Sequence, residues 1–213
     1  MLPTIATGNV GSALAGEYEV ANSLRFNDPS SDNLSRTPSG ATNRKTWTFS
    51  IWIKRSNLGV GNQIIFSQGA DNNNSTQLRI ESGNGISMWT LESGVSYDHY
   101  QLSDRLFRDV SAWYHLVLAF DTTQSTASDR VKFYVNGVEE TDFSSVTNPS
   151  LNFDTDVNTA NPMRLGAKPA GGDYFDGYMA EAVLIDGQQL TPTSFGEFDS
   201  DTNIWKPIDV SGL

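Results

Sequence analysis

The sequence predicts an all-β protein, built as a two-sheet antiparallel sandwich. Three observations predict it. Apolar and polar residues alternate over short stretches, 18 Gly with many Asn, Ser and Thr separate those stretches, and about ten such segments follow one another without a repeat of 20–50 residues. The hydrophobic fraction of 38%, with 11 Phe, 7 Tyr and 5 Trp among 213 residues, is enough for one sizeable core.

The first half of the chain contains the clearest strand. Residues 45–55 form it, with alternation of period two over nine of them, and Trp52 on the polar face indicates that this face is also partly covered. Shorter strands are predicted at residues 23–27, 33–36, 63–68 and 95–102, with a polar loop at 70–76 and a hairpin that joins 77–81 to 86–91. In the 95–102 strand, strict alternation places Tyr97, His99 and Gln101 on one side and Asp98, Tyr100 and Leu102 on the other.

The second half contains the strongest turn signal. Residues 113–121 are apolar through their middle and predict a strand that is buried on both faces. Residues 131–135 and 138–140 flank Asn136-Gly137, a pair that favours a type I′ hairpin turn. Further strands are predicted at 163–167 and 174–186, and Thr191 followed by Pro192 predicts one helical turn.

The domain organisation follows from these elements. We assign residues 1–20 to an N-terminal arm, 21–195 to the sandwich domain and 196–213 to a C-terminal tail. The first residues lack a basic segment followed by an apolar run, so no signal peptide is expected. No stretch approaches the roughly 20 apolar residues of a membrane span, so no membrane insertion is expected.

Composition excludes several classes of protein. The chain has no Cys, which excludes disulfides and thiolate metal sites. Its net charge of −11 makes nucleic acid an unsuitable partner, because phosphate contacts need Lys and Arg. Basic residues concentrate between 25 and 55 and acidic ones after 138, a pattern typical of two solvated faces, which can also steer like subunits into contact.

An ordered set of segments resembles a known family. The segments are WTFSIWIK (47–54), WYHLVLAFD (113–121), VKFYVNGV (131–138) and MRLGA followed by YFDGYMAEAVLIDGQQLTPTSF (163–195). In this order they resemble the laminin-G-like branch of the concanavalin A-like lectin/glucanase jelly rolls, over about residues 20–195. The resemblance implies a jelly-roll sandwich. Many such domains carry Asp where this chain has Ala180 before Glu181, so any role of that Asp is absent here.

A narrower resemblance concerns the two ends of that region. Residues 23–55 and 177–207 resemble structural proteins of tailed bacteriophages, especially marine ones. This resemblance implies a protein on the surface of the virion, as a tail fibre, head fibre or decoration protein. The implied partners are other virion proteins, further copies of the same chain and a glycan on the host cell surface.

Exposed aromatic residues are the candidates for carbohydrate binding. Their rings stack on sugar faces while nearby amides and carboxylates bind the hydroxyl groups. The candidates are Trp89, Tyr97, Tyr100 and Tyr174. The alternative for each is a place in the core or in a subunit interface.

Two polar loops are candidates for calcium, which prefers clustered oxygen ligands. One offers Asp154, Asp156 and Asn158 at alternate positions, and the other begins at Asp71. Some members of the resembled family bind Ca²⁺ at the rim of the sandwich. The alternative is Asx turns, in which these side chains bond their own backbone. No cofactor is otherwise required.

Catalytic residues are not predicted. Hydrolases of this superfold carry two carboxylates at alternate positions of one strand. The nearest run, Glu197 to Asp201, falls in the predicted tail, and His115 in its apolar strand is expected to be a hydrogen-bonded structural residue. The sequence therefore predicts a non-enzymatic virion protein with a lectin-like module for adhesion, with a purely architectural protein as the alternative and a polysaccharide hydrolase as a remote one.

Overall fold

The protein is a sandwich of two antiparallel sheets, as the sequence predicts. The computed structural model describes residues 18–59 and 61–213, so most of the predicted N-terminal arm lies outside the described residues. None of the helices in this part of the chain is long and apolar enough to cross a membrane.

The strands of the described residues are numbered in chain order. They are β1 (Leu24–Phe26), β2 (Leu34–Arg36), β3 (Thr46–Arg55), β4 (Gln63–Asp71), β5 (Asn74–Ile80), β6 (Ile86–Glu92), β7 (Ser96–Ser103), β8 (Tyr114–Asp121), β9 (Val131–Val135), β10 (Val138–Glu139), β11 (Phe143–Thr147), β12 (Met163–Leu165), β13 (Gly177–Asp186), β14 (Gly196–Phe198) and β15 (Trp205–Pro207). Three 3-10 turns accompany them, at Asp28–Ser30, Ala127–Asp129 and Pro192–Ser194.

The strands form two large sheets and one small ribbon. Sheet one has the order β1-β13-β3-β8-β9-β10, and sheet two has the order β11-β7-β6-β5-β4-β12-β2. Strands β14 and β15 pair only with each other. Strands β4 to β7 are joined by consecutive hairpins, whereas β1, β2, β3, β11, β12 and β13 enter the sheets by pairing with strands that are distant in sequence.

The core lies between the two sheets. The alternate residues of β3 that the sequence assigns to one face are all buried there. Trp47 stacks on Phe120 with ring centroids 4.3 Å apart, and Phe49 stacks on Phe66 of the opposite sheet at 4.4 Å. These offset rings add to the burial of apolar area that stabilises the fold.

The predicted type I′ hairpin is present between β9 and β10. Asn136 has φ 49° and Gly137 has φ 81°, the positive values that this turn requires at both central positions. Gly137 is needed for a second reason, because a Cβ at this position would lie 2.3 Å from the ring of Trp205.

The structure differs from the sequence prediction in two strand regions. The polar stretch predicted as a loop at 70–76 is a tight connection, since β4 runs to Asp71 and β5 begins at Asn74. Strand β11 was not predicted, because its side chains are mostly exposed and its pairing partner β7 lies about 45 residues away.

The segment assigned to a C-terminal tail contains ordered structure. Strands β14 and β15 form a ribbon, here called the C-terminal ribbon (residues 196–207), whose Trp205 is buried against His115 on the outer face of sheet one. This ribbon covers the outer face around Trp52, where the sequence predicts a cover. The helical turn predicted after Thr191 is a 3-10 turn, and the Thr191 side chain bonds Thr193 rather than capping the backbone.

Candidate functional site

Three of the four predicted aromatic residues meet on the outer face of sheet two. Trp89 pairs across the sheet with Gln77 and Tyr100, whereas its neighbour Met88 points into the core. The rings of Trp89 and Tyr97 lie 5.5 Å apart edge to face, and those of Tyr97 and Tyr100 lie 4.8 Å apart. These three residues and Arg79, which lies over the Trp89 ring at 5.4 Å, are called the aromatic patch below.

A β-bulge brings Tyr97 to this face. Thr90 pairs with His99 and Leu91 pairs with Tyr97, so Asp98 is an extra residue in β7. One extra residue reverses the alternation, and Tyr97 and Tyr100 therefore share a face. The sequence prediction that these two tyrosines lie on opposite sides is wrong because alternation assumes an unbroken ladder.

The aromatic patch is open only in part. Trp89 is 4% exposed and lies beneath its neighbours, while Tyr97 is 42% exposed. Tyr100 is half-buried, and burial raises the pKa of its hydroxyl, with Glu81 adding to the rise. Tyr97 is therefore the ring that offers a face to a ligand, and the expectation of an exposed Trp89 is wrong.

Polar groups surround the rings. Arg79 Nε donates to Glu81 Oε1 at 2.8 Å, and Ser87 Oγ donates to the same oxygen at 2.5 Å. Two buried polar atoms beside them, Trp89 Nε1 and Gln77 Oε1, have no hydrogen-bond partner among the described residues. One of these atoms is a donor and the other an acceptor, on residues that pair directly across strands.

Tyr174 lies apart from the aromatic patch in sequence position and contacts. It sits in the connection between β12 and β13, half-buried, with its hydroxyl near Gly171. Among the described residues no ring contact joins it to Trp89, Tyr97 or Tyr100. The structure thus assembles three of the four predicted residues.

The predicted calcium ligands at 154–158 point to different partners. Asp154 is exposed, and its backbone carbonyl accepts from Arg44. Asn158 donates to Asp186 Oδ1 at 2.9 Å. Asp156 is buried with Oδ2 unpaired, and burial, reinforced by Glu92, raises its pKa to about 6. Alternate spacing in a loop does not make these side chains converge.

Asp71 forms an Asx turn, the structure that the sequence analysis gives as the alternative to calcium binding. Its carboxylate accepts from the Asn73 backbone N–H at 2.7 Å and from the Asn74 amide, and these bonds lower its pKa. Within residues 18–59 and 61–213, no three His, Asp or Glu side chains are placed to hold a metal ion. The calcium assignment stays a prediction for the rim near Asp71 and Asp156.

His115 has the structural role that the sequence predicts. Trp205 Nε1 donates to His115 Nδ1 at 2.9 Å, so Nε2 carries the proton and donates to Ser50 Oγ at 2.8 Å. Burial lowers the pKa of His115 to about 3, which keeps the ring neutral. His99 is wholly buried, packs edge to face on Phe120, and has a pKa lowered to about 3 for the same reason.

The carboxylates nearest to a hydrolase pattern hold a turn. Asp199 accepts from the backbone and hydroxyl of Thr202 and from Lys206, and these bonds hold its pKa far below its ordinary value. Glu197 is exposed beside the same lysine. Asp199 therefore fixes the connection between β14 and β15, and Glu197 lies opposite Lys206 across the ribbon.

The two packed sheets define a β-sandwich of the lectin-like class. Residues 29–193 match the Laminin_G_3 family model, described as the concanavalin A-like lectin/glucanases superfamily. The match covers well over half of the chain, and the chain belongs to this family. No curated protein matches it.

Solved structures show the same fold at low sequence identity. Similar structures include domains LG4-5 of the mouse laminin alpha1 chain (16% identity, TM-score 0.55, 92% of this chain and 47% of that one) and the native heptameric SAP-like pentraxin of Limulus polyphemus (16%, 0.53, 79% and 77%). A third is the CBM40 of the Ruminococcus gnavus IT-sialidase bound to α2,3 sialyllactose (14%, 0.53, 83% and 96%). Laminin G domains and carbohydrate-binding modules share this architecture.

Proposed function

We propose that the protein is a non-enzymatic glycan-binding module whose ligand lies on the aromatic patch. The observation that carries the proposal is the bulge at Asp98, which places Tyr97 and Tyr100 side by side on an outer sheet face. Bulges re-aim side chains next to functional sites. An exposed Tyr ring gives a sugar ring an apolar face, and the nearby Arg79 and Glu81 supply a donor and an acceptor.

We place this module on the surface of a tailed-phage particle, as a tail fibre, head fibre or decoration protein that adheres to host glycan. The resemblance of both ends of the domain to phage structural proteins supports this placement. A single Tyr-centred site binds weakly, so adhesion depends on many copies, and we expect the chain to form homo-oligomers. The heptameric pentraxin shows that this fold is compatible with oligomers.

An architectural role is the second candidate, and one observation favours it. Leu24 of β1 and Leu34 of β2 are exposed on edge strands of the two sheets. Two grooves of about 190 Å³ lie beside them, and Leu165 lines both. Exposed edges with apolar side chains are suited to docking against a neighbouring virion protein.

Binding of the purified chain to a glycan panel and to candidate bacterial host cells tests the proposal. Tyr97→Ala should abolish binding without loss of stability. Tyr178→Ala is the matched control, because Tyr178 is 38% exposed, lies under Arg25 at 5.4 Å and belongs to the other sheet. Binding is measured with added calcium and with a chelator, which shows whether a calcium site at the rim near Asp71 and Asp156 contributes to binding.

Three outcomes would contradict the proposal. Equal loss of binding in both tyrosine variants would show that the aromatic patch is not the site. Binding to no glycan and no cell, with or without calcium, would favour the architectural role. Cleavage of a polysaccharide by the wild-type chain would contradict the non-enzymatic part.

A further inference from the structure

A pocket on the outer face of sheet one is lined by three of the five tryptophans. Trp52 of β3, Trp113 before β8 and Trp205 of β15 surround a cavity of about 320 Å³. Residues 20–23 and the C-terminal ribbon form its walls. Its volume falls in the range of small-molecule pockets, roughly 300–1,000 Å³. This pocket, called the tryptophan pocket below, lies on the sheet opposite to the aromatic patch.

Strand register explains why the pocket is open. Ala180, Trp52 and His115 lie in one row across β13, β3 and β8. His115 stacks on Trp52 at 4.8 Å and Trp205 stacks on His115 at 5.8 Å, so one end of the row is filled. At the other end Ala180 contributes only a methyl group, which leaves space over β13 beside the Trp52 ring.

Among the described residues, the one charged side chain that lines the pocket is Lys206, and it is paired with carboxylates. Its Nζ lies 3.1 Å from Asp199 and 3.6 Å from Glu197. A charged ligand would lose its hydration there without gaining a free counter-charge. A neutral ligand avoids this cost.

Hydrogen-bonding groups remain beside the indole faces. The Trp205 indole N–H is used by His115, whereas those of Trp52 and Trp113 donate to no acceptor among the described residues. Asn22 and Ser23, which are polar and exposed, also line the pocket. Flat apolar walls with a few donors and acceptors at their edges match a sugar ring, which has apolar C–H faces and equatorial hydroxyls.

We infer that the tryptophan pocket is a second carbohydrate site, specific for one ring of a neutral hexose. This inference takes only the class of ligand from the proposed function, because the tryptophan pocket shares no residue with the aromatic patch. Two sites on opposite sheets would let one module bridge two glycan chains, or bind two segments of one chain with increased avidity.

Indole N–H signals in the NMR spectrum of the ¹⁵N-labelled full chain test this inference. The five signals are assigned with single Trp→Phe variants, and methyl glycosides of glucose, galactose and mannose are titrated beside glucuronate. We expect the Trp52 and Trp113 signals to shift and saturate with at least one neutral hexose and not with glucuronate. Shifts of Trp89 report the aromatic patch separately.

Two variants make the test specific. Trp113→Ala removes one wall at a position outside the strands and should raise Kd by about tenfold. Ala180→Leu fills the pocket, keeps every tryptophan and should remove the shifts of Trp52 and Trp113. A thermal melt of each variant confirms folding.

Several results would overturn the inference. One is that the Trp52 and Trp113 signals shift with no neutral probe. Another is that their shifts persist in the Ala180→Leu variant, and a third is that glucuronate binds as well as the neutral hexoses. Shifts of Trp89 alone would support the aromatic patch and overturn the tryptophan pocket. Shifts of Trp52 and Trp113 alone would support the pocket and contradict the proposed site on sheet two.

Discussion

At the scale of single residues, the two histidines determine how stability depends on pH. Both are buried and neutral, with pKa values lowered to about 3 from the ordinary 6.5. The unfolded chain binds these two protons as pH falls below 6.5 and the folded chain does not, so stability is lost on acidification. Asp156 opposes this effect, because its pKa is raised to about 6 and the folded chain gains its proton first.

We predict that stability falls by about 1.4 kcal/mol from pH 6 to pH 5, the effect of one net proton taken up on unfolding. His99→Phe removes one of the two histidines and keeps the edge-to-face contact with Phe120. In that variant the opposite effects of His115 and Asp156 on stability nearly cancel. Stability should therefore depend little on pH over this range. Urea unfolding at several pH values measures it, and an unchanged slope in the variant would contradict this account.

At Gly137 the addition of a single Cβ atom is expected to change the stability of the fold. Gly137→Ala should destabilise the fold by about 1–3 kcal/mol, because its positive φ strains an L side chain and the new Cβ meets Trp205. Gly83→Ala is the control, since a Cβ there contacts nothing within 4 Å. Chemical denaturation of both variants gives the comparison. Equal stability would show that the ribbon can move away from the hairpin.

At the scale of elements, the C-terminal ribbon is part of the folded domain. It places Trp205 over His115 and covers the outer face of β3. The acidic composition of residues 197–201 predicts a solvated tail, but in the structure Asp199 is the residue that fixes the ribbon's turn. A short ribbon gains its stability from the sheet beneath it rather than from its own two strands.

Trp205→Ala should lower the free energy of unfolding by about 3–5 kcal/mol, through loss of buried area and a cavity. The indole bond to His115 Nδ1 is lost in addition. Ile204→Ala, next to Trp205 in the same ribbon and 64% exposed, is the matched control and should cost far less. Both values come from urea titrations monitored by circular dichroism. A similar small loss in both variants would mean that the ribbon contributes little to stability.

At the scale of the whole molecule, the two outer faces have different functional groups. Sheet two carries the aromatic patch, and sheet one carries the tryptophan pocket. The edge with exposed Leu24 and Leu34 lies between these faces and is suited to contacts between subunits.

We therefore predict an oligomer of the full chain at micromolar concentration, measured by multi-angle light scattering. Leu24→Asp with Leu34→Asp should shift the population toward monomer, because each change places a charge on an exposed apolar edge. The double variant should retain weak binding to soluble glycan and lose avidity for a multivalent surface. A monomeric wild-type chain would contradict the prediction.

The sequence by itself determined the fold class and most of the strands. The alternation in residues 45–55 and the Asn136-Gly137 turn depend on neighbouring residues only, so a local pattern reveals them. The buried role of His115 was also predictable from the apolar strand around it. These features agree with the structure because side-chain period and turn geometry are properties of the local backbone.

Only the tertiary structure decided the sites. Tyr97 and Tyr100 share a face because Asp98 forms a β-bulge in β7, opposite β6. No local sequence pattern shows where such a bulge occurs. The tryptophan pocket joins Trp52 and Trp113 to Trp205, which lies about 90 residues further along the chain than Trp113. Such neighbours result from the packing of a ribbon on a sheet, and that packing depends on the shape of the whole folded surface rather than on the pattern of any one segment.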